Sequence, residues 1–205
     1  MTKIILVRHG HVEGISPERF RGRTDLMLTP EGRRQAEASA RRIHASWTPA
    51  AVYTSPLSRS RATGEAIGKP FGLSPNPVEG LSDIDYGEWQ GLTPDEVRKR
   101  WPERLETWYR APHWAAIPGG ETLQALLTRT VAALRDVIGR HPHDTVVVVG
   151  HDSVNRVILL HALDLPLSRY WRLGQAPCAI NEIDFSGGGS LILSMNETYH
   201  LTHPA

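Results

Sequence analysis

Two stretches of the chain are apolar without a break. Ile4 to Val7, after Lys3, and Val146 to Val149, after Thr145, are short, β-branched and unpunctuated. Such runs predict strands buried on both faces, as in a parallel sheet. Between and around them the period changes to helical spacing. Thr29 and Pro30 suit an N-cap and first turn, and Ala36, Ala40, Ile43 and Trp47 then share one face. Ala50 to Thr54 predicts a short strand, and Leu57 to Lys69 a helix that stops near Pro70 and Gly72. Thr93 to Glu96 has the form of a capping box, and Trp101-Pro102 breaks the helix it starts before Leu105, Trp108 and Tyr109 resume it. Glu121 to Arg140 predicts an amphipathic helix with a stripe of Leu123, Leu127, Val131, Leu134 and Ile138. Val154 to Leu163 reads as helix. Cys178 to Phe185 and Ser190 to Met195 read as strands joined by a hairpin turn over Ser186 to Gly189.

Alternating strands and helices predict an α/β fold: a mostly parallel central sheet with helices on both faces and a C-terminal antiparallel hairpin on its edge. No internal repeat or linker is visible, so residues 1–205 are expected to form a single domain. The segment from about Pro75 to Pro118 is rich in Pro and Trp and poor in strand signals, and is expected to be a small inserted cap.

Composition narrows the classes. Lys and Arg number 23 against 22 Asp and Glu, with no long basic block, so no nucleic-acid partner is expected. Cys178 is the only cysteine, which excludes an internal disulfide and a Cys-rich zinc site. The apolar run after Met1-Thr2-Lys3 is too short for a signal peptide or a membrane span. A cytoplasmic location without membrane association is the resulting expectation.

The chemistry lies at the ends of the two buried strands. One ends in Arg8-His9-Gly10 and the other in Gly150-His151. Ligands of open α/β sheets bind beyond the carboxyl ends of strands, so two histidines there can meet in one crevice. A lone histidine after a strand is commonly incidental; two, one flanked by Arg and Gly, point to a site. Phosphoryl transfer calls for these residue types, because the transferred group spreads negative charge over its oxygens. Arg8 offers a planar fork for phosphate, a neutral imidazole can act as nucleophile, and Gly10 is expected to let backbone approach the oxyanion. Arg59, in the first helical turn after the Tyr53–Thr54 strand, supplies a second clamp.

Arg8-His9-Gly10 near the N-terminus resembles the signature of the histidine phosphatase superfamily, which includes the cofactor-dependent phosphoglycerate mutases. The rest follows in order: Phe20-Arg21-Gly22, Asp25 to Gly32, Thr54 to Arg59, Tyr86 to Gly91, Gly119 to Thr122 and Val149-Gly150-His151. The resemblance implies that His9 is the phosphorylated nucleophile, that Arg8, Arg59 and His151 hold the phosphoryl group, and that neither metal nor organic cofactor takes part. The family's general acid is usually a Glu four positions before the Gly of the Tyr-Gly pair; here Asp83 stands there, one methylene shorter, with Asp85 and Glu88 as alternative acids. His11 and Val12 break the family's Arg-His-Gly-(Glu/Gln)-Thr pattern and Ile15 stands where an Asn is usual, so one hydroxyl and one amide that in the family often touch phosphate are missing. Arg21, before Gly22, stands where small polar residues are usual, and either adds an anionic contact or faces solvent.

Three other functions compete. A mutase would carry a longer insertion with an Arg pair and a longer tail, and Lys99, Arg100, Arg104 and Arg110 form no matching pair. A non-catalytic phospho-ligand module would have lost the nucleophile or an Arg. A metal-dependent hydrolase would show ligand spacing such as His-Glu-x-x-His, which is absent. The favoured function is therefore metal-independent hydrolysis of a small phosphorylated metabolite, by a monomer or homodimer. Trp89, Trp101, Trp108 and Trp114 either line the substrate's wall or pack the cap.

Overall fold

The computed structural model describes residues 1–186 and 189–202. Six strands, β1 (Thr2–Arg8), β2 (Ala51–Thr54), β3 (Pro75–Pro77), β4 (Thr145–Gly150), β5 (Ile180–Ser186) and β6 (Gly189–Glu197), form one sheet. Their order is β3-β2-β4-β1-β5-β6. β1, β2, β3 and β4 run parallel, while β5 pairs antiparallel with β1 and β6 with β5. The two uninterrupted apolar runs are adjacent central strands, as expected for strands covered on both faces. Gly187 and Gly188, in the expected hairpin turn, lie outside the described residues.

Strand periodicity divides the core. Ile5, Val7, Val52, Val147 and Val149 face α1 (Pro30–Ser46) and α2 (Ser58–Gly68), meeting Ala40, Ile43 and Ile67. Their neighbours Ile4, Leu6, Val146 and Val148 face the opposite way. That side is covered by α5 (Leu123–Arg140) and α6 (Asp152–Ala162), whose Leu126, Leu134, Val154 and Val157 join the same cluster. The segment between β3 and α5 carries α3 (Pro94–Arg100) and α4 (Pro102–Arg110), broken at Trp101-Pro102. Thr93 and Glu96 make the reciprocal bonds of the capping box. A final short helix, α7 (Tyr199–Thr202), follows β6.

Two expectations need correction. The buried face of α5 is Leu123, Leu126, Thr130, Ala133, Leu134 and Val137 rather than the stripe through Leu127, Val131 and Ile138, which are half-buried. Small side chains face inward because backbone comes close: a Cβ on Gly80 would lie 2.7 Å from the Ala133 Cβ. β3 is also a strand where none was expected. It is three residues long, begins and ends with proline, and survives at the sheet edge, where a missing N–H costs no ladder bond. Of the cap tryptophans, Trp89 and Trp108 are buried in the core, Trp101 packs against it, and Trp114 is exposed. No described helix is long and apolar enough to cross a membrane.

Candidate active site

The register of the central strands builds the site. Arg8 on β1 lies opposite Gly150 on β4, so the next residue of each strand, His9 and His151, emerges at the same level. Their rings are 5.1 Å apart between centroids, and both are buried. His9 Nδ1 is 2.7 Å from the Gly10 carbonyl oxygen. A carbonyl only accepts, so Nδ1 carries the proton and Nε2 keeps its lone pair. His151 Nδ1 accepts from Arg59 Nε at 3.3 Å. The proton of neutral His151 is therefore on Nε2, which is buried without a partner among the described residues. Burial first, then the charge of Arg59, holds both imidazoles well below their ordinary pKa; His151 and Arg8 add to the effect on His9. Both rings are neutral at pH 7.

Arg59 is fixed from several sides. It sits in the first turn of α2, whose Ser58 N–H and hydroxyl are both held by Asp25, at 2.8 and 2.7 Å. That outside cap replaces the one Leu57 cannot provide. The wholly buried guanidinium donates to the carbonyls of Thr24 and Gly22, each at 2.7 Å, and to Asp83 Oδ2 at 3.0 Å. Arg8 donates to the Gln175 carbonyl and lies 3.6 Å from Asp152, while its buried Nε has no partner among the described residues.

Of the three candidate acids, the fold brings only Asp83 to the histidines. Its Oδ1 accepts from Ser153 Oγ and from the Ile84 N–H at 2.9 Å, and its Oδ2 lies 3.6 Å from His151 Nδ1. The Asp85 carboxylate closes a turn by accepting from the Gly87 N–H at 2.9 Å. Glu88 is exposed, and its N–H is tied to the Pro118 carbonyl. Arg129 holds the Asp83 segment from behind, donating to the carbonyls of Gly80, Ser82 and Asp83 while gripping both Glu121 oxygens.

Gly10 departs from expectation. Its N–H donates to Thr63 Oγ1 at 3.1 Å, and a Cβ there would lie 2.4 Å from the Gly32 carbonyl oxygen. Gly10 thus permits close packing against the start of α1. Gly22, at φ +48°, lines the cavity and offers its carbonyl to Arg59. Arg21 also lines that cavity.

The cavity at the strand ends measures about 250 Å³, and its lining includes Arg8, Asp83, Tyr86, Arg156 and Trp171. Ser153, Arg156 and Trp171 were not among the sequence candidates. Ser153 and Arg156 lie two and five residues after His151, on the first turns of α6, and that spacing is a usable signal. Trp171 carries no local signal. Among the described residues, no group of three or more His, Cys, Asp and Glu is placed to hold a metal ion.

Comparison with known proteins agrees with this geometry. A family model described as histidine phosphatase superfamily (branch 1) matches residues 4–198. The chain is 32% identical over 201 residues to phosphoserine phosphatase 1 of Hydrogenobacter thermophilus, covering 98% of this chain and 95% of that protein. It is 33% identical over 163 residues to the metal-independent phosphoserine phosphatase of Arabidopsis thaliana, covering 78% and 68% respectively. The solved structure of YhfR from Bacillus stearothermophilus matches with a TM-score of 0.93 at 28% identity, over 98% of this chain and 100% of that one. With motifs, sheet order and paired histidines in agreement, the chain belongs to the histidine phosphatase superfamily, branch 1.

Proposed function

We propose that this chain is a metal-independent phosphatase that hydrolyses small phosphomonoesters through a phosphohistidine on His9. The observation that carries this reading is a neutral His9 whose Nε2 lone pair is free, facing His151 5.1 Å away, with Arg8 and Arg59 beside them. Arg8 Nε and His151 Nε2 are among the buried donors of this site that have no protein partner among the described residues. Buried donors are rarely left unpaired, and a phosphoryl group suits both.

In the first step His9 Nε2 forms a bond to phosphorus as the ester P–O bond breaks. Arg8, Arg59 and His151 neutralise the charge spread over the phosphoryl oxygens. As the phosphoryl group takes over Arg59, Asp83 takes up the proton of the ester monoanion and gives it to the leaving oxygen. In the second step Asp83 takes a proton from water as that water attacks phosphorus and the P–N bond breaks, regenerating neutral His9 and releasing inorganic phosphate. The whole chain serves as one unit, with the segment from about Pro75 to Pro118 as its cap. A cavity of about 250 Å³ suits a compact metabolite. Because two relatives are named for phosphoserine, O-phosphoserine is the first substrate to assay.

The test is rapid quench with a ³²P-labelled phosphomonoester in excess EDTA. Acid-labile, base-stable label should appear on His9, and His9→Ala should lose at least about a hundredfold in kcat/KM. Full turnover by His9→Ala, or a strict need for a divalent ion, would overturn the reading.

A further inference from the structure

Four arginines line the cavity: Arg8, Arg19, Arg21 and Arg156. Three have a carboxylate close by. Arg8 and Arg156 lie 3.6 and 2.9 Å from Asp152, and Arg19 lies 3.6 Å from Glu96. Arg59, beneath them, has Asp83. Arg21 has no carboxylate within 4.0 Å among the described residues, and Glu18, which lines the same cavity, makes no ion pair with it.

Arg21 is nevertheless held in place. Its Nη1 donates to the carbonyls of Gly14 and Arg19, and its Nη2 has no protein partner among the described residues. A guanidinium anchored by backbone carbonyls loses little further freedom when it takes a ligand, and its remaining donors suit a planar anion. The phosphoryl group already has Arg8, Arg59 and His151.

We infer that Arg21 receives a carboxylate on the alcohol portion of the substrate, so that the preferred substrates are compact phosphomonoesters of hydroxy acids. This rests on the phosphatase reading above and narrows it to a substrate class. The alternative role for Arg21, a more distant contribution to holding the phosphoryl group itself, predicts no discrimination between alcohols.

The experiment compares kcat/KM for O-phosphoserine and for phosphoethanolamine, the same skeleton without the carboxylate, with p-nitrophenyl phosphate as a measure of phosphatase competence. The unaltered protein should favour O-phosphoserine over phosphoethanolamine at least tenfold. Arg21→Gln should reduce that ratio at least tenfold, the scale of one charge-assisted bond, mostly through KM. Arg21→Lys, which keeps the charge and loses the fork, should restore part of the ratio. A ratio near one in the unaltered protein, or an unchanged ratio in an Arg21→Gln protein that melts normally, overturns the inference. Failure to turn over p-nitrophenyl phosphate would instead sink the phosphatase reading, and this inference with it.

Discussion

Asp83→Asn is the most informative perturbation. Asp83 is nearly buried, Arg59 is wholly buried, and the two meet at 3.0 Å. The amide can still accept from the Ile84 N–H, but any NH2 turned toward Arg59 sets donor against donor. Removing one partner of a buried pair costs about 3–5 kcal/mol. The retained Ile84 bond favours the lower end, and a domain of this size then melts about 6–12 °C lower. The catalytic effect is separate. A positioned acid contributes about 10²–10⁴ in rate, or about 2.7–5.4 kcal/mol, and only where the leaving group needs a proton. kcat/KM reports the path up to formation of the phosphoenzyme. For O-phosphoserine it should fall at least about a hundredfold. For p-nitrophenyl phosphate it should fall less than about tenfold, because nitrophenolate leaves unaided. Slow loss of the phosphoenzyme should then appear as a burst of nitrophenolate, since the same carboxylate activates water. Equal losses on the two substrates would assign Asp83 to binding. No loss on either would refute the acid role, and the placements of Asp85 and Glu88 would offer no ready replacement.

Two further outcomes follow from the geometry. His9 and His151 resist protonation in the fold but not in the unfolded chain, where the ordinary pKa is 6.5. The unfolded state therefore binds more protons below that value, and stability should fall on acidification by up to about 1.4 kcal/mol per histidine per pH unit, until each folded pKa is reached. Thermal melts from pH 7.5 to 5 check this, and replacing His151 with Gln should flatten the slope; a steeper slope would contradict it. Gly32→Ala would place a Cβ 2.1 Å from the His11 carbonyl oxygen. It should cost about 1–3 kcal/mol, seen as a Tm lower by about 2–4 °C per kcal/mol. An unchanged Tm would show that α1 can retreat freely.

The parts of this fold legible in the sequence are those set by local pattern. β1 and β4 follow from unbroken apolar runs, and α1 and α3 from their caps, because each signal needs only neighbours in the chain. The buried face of α5 departs from its apolar stripe because Thr130 and Ala133 turn inward toward Gly80, a contact dictated by a remote turn. The same division holds in the site. His9, His151 and Arg59 stand out because strand ends and helix starts are local features. The motif position already favours Asp83, but its separation from Asp85 is made by the fold: a short helical turn at Glu79–Leu81 precedes Asp83 and Arg129 grips its segment, while Asp85 closes its own turn. Ser153 is local to His151, two residues on in the first turn of α6, whereas Trp171 reaches the cavity only through packing that spans much of the chain.

On the phosphatase reading, the bonds Arg59 makes to the protein bear on how turnover ends. Its guanidinium already donates to two carbonyls, a carboxylate and an imidazole. A phosphoryl group arriving there exchanges partners with the protein more than it adds new ones, so the net gain is a fraction of what the final contacts suggest. Inorganic phosphate meets the same exchange without an alcohol portion to engage the rest of the cavity. The network that holds the clamp ready thus also weakens its hold on product, which favours fast release and modest product inhibition.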